Sequence, residues 1–369
     1  METKRVSLRQ MIAVFLKIGA VGFGGGMGML ALIREHIVRR KKWITDDELG
    51  VGVAMGQMLP GPFVPNWVEF IGFRLRGVKG SLVSVCAFLL PPFAAMVVLS
   101  FLYFRFQTIP GLWFVFKGIG PVVTALILFA AIEMGRTSIK DWRQIIIAVF
   151  AFAALFFKFD VLLTILGCGI LGILFYRKMP VAPLFALMPI IKIGWLKFVK
   201  GLDLAYIFLK IGTIIFGGGF AAIPFIKNEV VDTRHWLTAK EFIDGVALGQ
   251  ITPGPVAITA TFVGYKALGI PGAIIATIAI FLPSFFMLWG LLKIYDRIKA
   301  HPLVINFLKG VRPGVVGMLL SASLFIGRTA IHDIKSAVVG VVALALLILL
   351  RLDPIWLVIG GGVLGLILR

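Results

Sequence analysis

The strongest constraint on this chain is that it is one unit written twice. Phe15-Leu16-Lys17-Ile18-Gly19 recurs as Phe208-Leu209-Lys210-Ile211-Gly212, and Phe23-Gly24-Gly25-Gly26 recurs as Phe216-Gly217-Gly218-Gly219. Gly56-Gln57 and Pro60-Gly61-Pro62 recur as Gly249-Gln250 and Pro253-Gly254-Pro255, all at an offset of 193. Without a gap, residues 15–62 match residues 208–255 at 22 of 48 positions. One deletion then shifts the offset to 192, so that Gly72, Gly77, Gly80 and Pro91 meet Gly264, Gly269, Gly272 and Pro283. The offset returns to 193 where Asp160 meets Asp353. A register this long is not chance, and the chain divides into a repeat at 1–176, a connector at 177–204 and a second repeat at 205–369. The connector is apolar but carries Pro180, Pro183, Pro189, Lys192, Lys197 and Lys200, which reads as an amphipathic interfacial segment.

The solvent of this unit is lipid. Of 369 residues 60% are hydrophobic and 15% charged, against about 45–50% and about 25% in a soluble domain. The formal charge of +20 is carried mostly between the apolar runs, as in Arg39-Arg40-Lys41-Lys42. Loops that grip anionic headgroups explain it, and a field that gathers anionic substrate is compatible with the same residues. Nucleic acid is not an expected partner. Cys86 and Cys168 sit in apolar runs, and His36, His235, His301 and His332 are scattered. No metal-ligand spacing and no nucleophile motif appears, so neither enzyme chemistry, a metal nor a cofactor is expected. Lys4, Arg5 and Arg9 ahead of an apolar stretch resemble a secretory signal, but that stretch has its copy near residue 205 and is read as part of the folded chain.

Each repeat reads as the same series of helices, an all-α membrane fold. Residues 12–33 are long enough to span a core of about 30 Å, and a polar loop over 34–48 follows. Two short helices, about 47–58 and 63–75, are split by Leu59-Pro60-Gly61-Pro62, since Pro cannot continue a helix and Gly ends one. Spans at about 81–104 and 112–134 come next, then shorter ones at about 143–157 and 160–176. The split pair is expected to form a re-entrant hairpin; two tilted crossings are the alternative. With the hairpin uncounted each half crosses five times, and an odd number turns the second half upside down, the inverted-repeat plan of many secondary transporters. The basic residues leave the orientation in the membrane open.

Two duplicated backbone interruptions are the candidates for chemistry. The runs Gly24-Gly25-Gly26 and Gly217-Gly218-Gly219 either let helices pack closely or break a helix whose freed N–H groups face a cavity. At Pro-Gly-Pro a new helix starts inside the membrane, where orphan amides and the positive end of the helix dipole suit an anion. Gly61 and Gly254 sit at these turns, and Gln57 and Gln250 could add amide donors. Thr252 could add a hydroxyl, but its counterpart is Leu59, so the halves are not equivalent. Intramembrane charge marks function by default. Lys17 and Lys210 precede the glycine runs and either serve an anion or snorkel to the interface. Glu69 and Glu133 are candidate coupling carboxyls, with Arg136 a local partner for Glu133. Arg74 and Lys266 end the hairpins, as interface anchors.

The paired FGGG and GQxxPGP motifs, followed by IGFRLRGVKG (71–80) or VGYKALGIPG (263–272), resemble the chromate ion transporter family in its long, two-domain form, over essentially the whole chain. The resemblance implies a multi-pass inner-membrane carrier that exports chromate, driven by the proton-motive force or the membrane potential. A sulfate-type oxyanion carrier with chromate as mimic, and a non-transporting assembly component, are the alternatives. Expected partners are the oxyanion, membrane lipid and a second copy in a homodimer.

Overall fold

A computed structural model describes residues 6–23, 25–106, 109–176 and 200–367, and every element among them is helical. The connector expected at 177–204 lies outside the described residues except for 200–204, which open the first helix of the second half. The first half comprises α1 (Leu8–Val21), α2 (Gly25–Ile33), α3 (Asp46–Met58), α4 (Phe63–Phe106), α5 (Pro110–Ser138), α6 (Trp142–Phe156) and α7 (Val161–Tyr176). The second repeats it as α8 (Lys200–Ile214), α9 (Ala222–Lys227), α10 (Ala239–Ile251), α11 (Thr259–Ile298), α12 (Pro302–Ala330), α13 (Ile334–Leu349) and α14 (Pro354–Ile367). The stretches Phe63–Phe106, Gly111–Ser138, Val256–Tyr295 and Pro302–Ala330 are long and apolar enough to cross a membrane, and α6, α7, α13 and α14 are shorter apolar helices.

The segment expected as one span over 12–33 is two helices. The Ser7/Gln10 capping box starts α1. Met11, Phe15 and Ile18 bury one face of it and leave Lys17 exposed on the other. The glycine run then interrupts it, as another run separates α8 from α9. The expected polar loop over 34–48 is helical as far as Arg40, in a π-helical turn over Arg34–Arg40 that recurs at Asn228–Thr233.

The hairpins follow from caps, glycines and charge. Thr45 with Glu48 and Thr238 with Glu241 form capping boxes that start α3 and α10. Each helix then runs antiparallel to the segment after its Pro-Gly-Pro turn. Gly52 packs on Phe70 and Gly56 on Trp67; Gly245 packs on Phe262 and Gly249 on Thr259. The Glu48–Arg74 ion pair closes the base of the first hairpin, and Lys266 Nζ lies 2.7 Å from Glu241 in the second. The Arg74 guanidinium and the Thr45 amide hold the Glu48 carboxyl below its usual range. At about 1.5 Å per residue, arms of this length reach only about 20 Å, which suits an element that enters and leaves on one side. The chain then turns back on itself: Arg76–Gly77 and Leu268–Gly269 leave helical geometry, with the glycines at φ 59° and 63°. A Cβ at Gly80 would lie 2.1 Å from the Gly72 carbonyl oxygen, whereas eight residues of straight helix span about 12 Å. The rest of α4, like the rest of α11, is therefore a separate crossing.

The halves interlock. α6 and α7 pack on α12 of the second half, while α13 and α14 pack on α5 of the first. The closest approaches are glycine on backbone: Gly310 against Cys168 and Gly172, and, at the equivalent place, Gly118 against Gly361 and Gly365. Small residues let helix backbones approach where lipid supplies no hydrophobic drive between helices. The pairing is not fully symmetric. α10 packs against α5, α12 and α14 and is buried from Phe242 to Gln250. α3 packs on α4, α11 and the turn before it, leaving Gly50, Val51 and Gln57 exposed.

A Cβ at Gly310 would meet the Cys168 carbonyl oxygen at 2.0 Å, whereas one at Gly360 meets nothing within 4 Å. Gly310→Leu should therefore lower stability by about 1–3 kcal/mol and Gly360→Leu by about 0.5 kcal/mol or less. Thermal unfolding in detergent checks the difference, and equal losses would contradict the packing described.

Candidate functional site

The two kinds of interruption meet across the halves. The Gly61 N–H donates to the Ile215 carbonyl at 2.5 Å, and the Gly254 N–H donates to the Gly22 carbonyl at 2.8 Å. Gly22 and Ile215 are repeat equivalents, so each hairpin tip is bonded to the broken helix of the other half. Both tip glycines have left-handed φ, 106° and 96°. A Cβ would strike Ser284 at Gly61 and Pro92 at Gly254, so glycine is required there twice over.

Beside these junctions lies a cavity of about 530 Å³. Its walls bring together Gly26 of α2, Pro62 and Phe63 of the first tip, Phe129 and Glu133 of α5, Gly217–Phe220 at the second break, Gln250, Thr252 and Gly254–Val256 at the second tip, and Arg351–Pro354 between α13 and α14. Two helical starts border it, the 3-10 turns Gly219–Ala221 and Val256–Ile258 that lead into α9 and α11, and neither has a side-chain cap. They abut: a Cβ on Gly219 would lie 3.1 Å from Val256 N and 3.2 Å from Ala257 N. Gln250 is 8% exposed, and its Nε2 has no hydrogen-bond partner among the described residues. Thr252 spends its hydroxyl on the Gly249 carbonyl at 3.1 Å. A glutamine amide and two helix N-termini beside one space suit an anion with several acceptor oxygens.

The first tip brings an aromatic ring to the wall of this cavity. The Phe63 ring occupies the position a Cβ would take on both Gly26 and Gly218, and stacks on Trp67 at 5.0 Å. Val256 stands in its place in the second half. Of the residues singled out in the sequence, Gly26, Gly217, Gly218, Gly219, Gln250, Thr252, Gly254 and Glu133 line the cavity. Gly24 lies outside the described residues, and Gly25 is the first residue of α2. Gln57 is exposed and Gly61 is buried at its tip, both away from the lining.

The candidate charges have different surroundings. Lys17 is exposed. Lys210 donates to Glu229 at 2.8 Å, in a chain that continues through Arg234 to Asp203 at 2.9 Å and ties α8 to the π-helical turn. The first half has His36, Lys41 and Gln10 where Glu229, Arg234 and Asp203 stand, so it has no such chain. Glu133 accepts from Arg136 at 2.9 Å at the cavity wall. Glu69 is 1% exposed, and its Oε1 has no partner among the described residues; Asn66 Nδ2, Trp67 Nε1 and Ser84 Oγ are also buried without one there. Its repeat equivalent, Thr261, is paired with Thr277 at 2.7 Å. Among the described residues no group of three or more His, Cys, Asp or Glu side chains gathers to hold a metal. The sequence reading missed Arg351, Asp353 and the aromatic lining. The first two were detectable as repeat partners of Lys158 and Asp160; nothing in the pattern marks Phe63 or Phe129.

A helical membrane protein of two interlocked copies, whose paired breaks border one cavity, has an architecture suited to a membrane carrier. The chain belongs to the chromate transporter family, whose model matches it twice, over residues 9–173 and 202–366. A chromate transport protein of Cupriavidus metallidurans is 30% identical over 376 residues, 98% of this chain and 93% of that protein. One of Pseudomonas aeruginosa is 32% identical over 357 residues, 91% and 85% of the two chains. An uncharacterized transporter of Methanocaldococcus jannaschii is 31% identical over 353 residues, 90% and 88%. No solved structure matches. The chain is thus a multi-pass membrane transport protein and not an enzyme.

Single cysteines at Gln250 and Glu133, introduced with Cys86→Ser and Cys168→Ala, should react with a membrane-impermeant thiol reagent, whereas one at the fully buried Phe15 should not. Mass spectrometry of labelled protein checks this; equal protection at all three sites would close the cavity to water.

Proposed function

We propose that this chain is a secondary carrier that exports chromate across the inner membrane, with sulfate as a competing oxyanion of the same shape. One observation carries the reading: the buried, unpartnered Gln250 amide and two uncapped helical starts border one cavity at the junction of the halves. An orphan buried donor costs about 1–3 kcal/mol, which a purely structural junction has no reason to bear and an oxyanion would satisfy. That observation, with the names of the relatives, weighs against a non-transporting assembly role.

Export is favoured by electrostatics. A charge crossing 100 mV gains about 2.3 kcal/mol, so a dianion leaving an inside-negative cell gains about 4.6 kcal/mol, over a thousand-fold in concentration. Glu69 is the group proposed to couple protons to this movement. It is a carboxyl in a membrane helix with no ion-pair partner among the described residues, on the helix that starts at the first tip. Alternating access would exchange the surroundings of the two hairpins. In that exchange α3 takes against α12 and α7 the contacts that α10 makes with α5 and α14, and a five-crossing half makes the exchange an inside-to-outside one.

Energised inverted vesicles incubated with labelled chromate test this. Saturable uptake inhibited by sulfate is the expected result, and no saturable uptake of either anion would remove the carrier reading. Gln250→Leu should raise the apparent KM about tenfold, since a hydrogen bond to a charged group contributes about 1.5–3 kcal/mol. Glu69→Gln should leave uptake driven by the membrane potential while abolishing its dependence on a pH gradient; an unchanged response to that gradient would clear Glu69 of coupling.

A further inference from the structure

Among the described residues three charged side chains line the cavity: Glu133, Asp353 and Arg351. Both carboxylates are engaged. Glu133 accepts from Arg136 at 2.9 Å, and Asp353 Oδ1 accepts from the Ile355 N–H at 3.2 Å as the chain enters α14. Arg351 is the one Lys or Arg of the lining, and its guanidinium forms no ion pair, hydrogen bond or ring contact among the described residues, although Asp353 is two residues away. It is solvent-exposed, one residue beyond the Leu350 cap of α13.

Its backbone is left-handed, φ 50°. That position after a helix is glycine's by preference, and a larger residue held there invites a functional question. The repeat equivalent, Lys158, is also basic and also left-handed, φ 61°, and Asp160 follows it as Asp353 follows Arg351. Lys158 does not line the cavity. A cation at a helix C-terminus gains from the dipole wherever it sits, so Lys158 serves as the control for that ordinary role, and cavity lining is what distinguishes Arg351.

Resting on the oxyanion reading above, we infer that Arg351 is the capture residue of the site: it takes a tetrahedral oxyanion dianion from water and passes it inward to the Gln250 amide and the two helical starts. A guanidinium presents several donors in a planar fork that fits two oxygens of such an anion at once. Being unpaired and exposed, it needs no partner removed before it binds. The inner donors are neutral, so the one full positive charge in the lining stands where the anion still has its hydration to lose, and neutral groups receive it deeper in. Weak, multiple neutral contacts inside allow release as well as binding.

Equilibrium dialysis of labelled chromate, and separately labelled sulfate, against the purified full chain in detergent tests this. Arg351→Gln and Arg351→Gly should each weaken binding about tenfold or more, the loss of a hydrogen bond to a charged group, and should flatten the decline of affinity with added salt. Arg351→Lys should restore most of the affinity. Arg351→Gly keeps the left-handed turn, so its unfolding midpoint should equal or exceed that of the wild type, which separates charge from fold. Lys158→Gln should bind as the wild type does. Unchanged affinity and salt dependence in Arg351→Gln, with the wild type binding, would overturn the role of Arg351 and leave the carrier reading standing. A wild-type protein that binds neither anion would overturn both.

Discussion

The junction of each hairpin tip with the opposite broken helix is the interaction on which this fold depends. A helix interrupted inside the membrane frees carbonyls and amides that lipid cannot satisfy, at several kcal/mol per group. Here the freed carbonyl of one repeat, at Gly22 or Ile215, is met by the tip amide of the other, at Gly254 or Gly61. The solution works only if both repeats are present and only if the tip residue lacks a side chain, because its φ is left-handed and a Cβ would enter Pro92 or Ser284. Each repeat takes a backbone bond from the other at its break.

The same junction makes the exchange of helices between halves intelligible. Once the tips cross, the shorter apolar helices of each repeat lie nearer the long helix of the other. Glycine on glycine brings α7 to α12 and α14 to α5 at backbone contact. The fold is then held by close packing and by hydrogen bonds at its centre, and a site placed there feels movement of either half.

The divergence between the halves is what turns a symmetric junction into a site. Phe63 against Val256, Leu59 against Thr252 and exposed Gln57 against buried Gln250 all point the same way: the first tip gives the shared cavity an aromatic wall and the second gives it a glutamine amide. The charges diverged as well. Lys210 is held by Glu229 within a chain of ion pairs, while Lys17 faces outward with no carboxylate at the equivalent positions. Glu69 is isolated where Thr261 is paired.

Much of this was legible in the order of residues. The offset of 193, the Thr-x-x-Glu boxes and the Pro-Gly-Pro turns define two repeats, their hairpins and the helix starts, because these signals are local: a cap, a missing N–H or a missing Cβ acts within a few residues. The lipid solvent follows from composition alone. Sequence could not say that tips bond across halves or that α6 and α7 leave their own repeat, since equivalent positions look identical whether they meet their own copy or the other. It could not choose between the two glutamines, nor find Arg351, whose meaning comes from a wall of the cavity built by residues more than two hundred positions away. The sequence by itself determined the duplicated elements and where each backbone breaks. Only the tertiary structure decided that both breaks face one cavity and what lines it, because that depends on which side chains of distant turns, Phe63 and Val256 among them, lie against the two glycine runs.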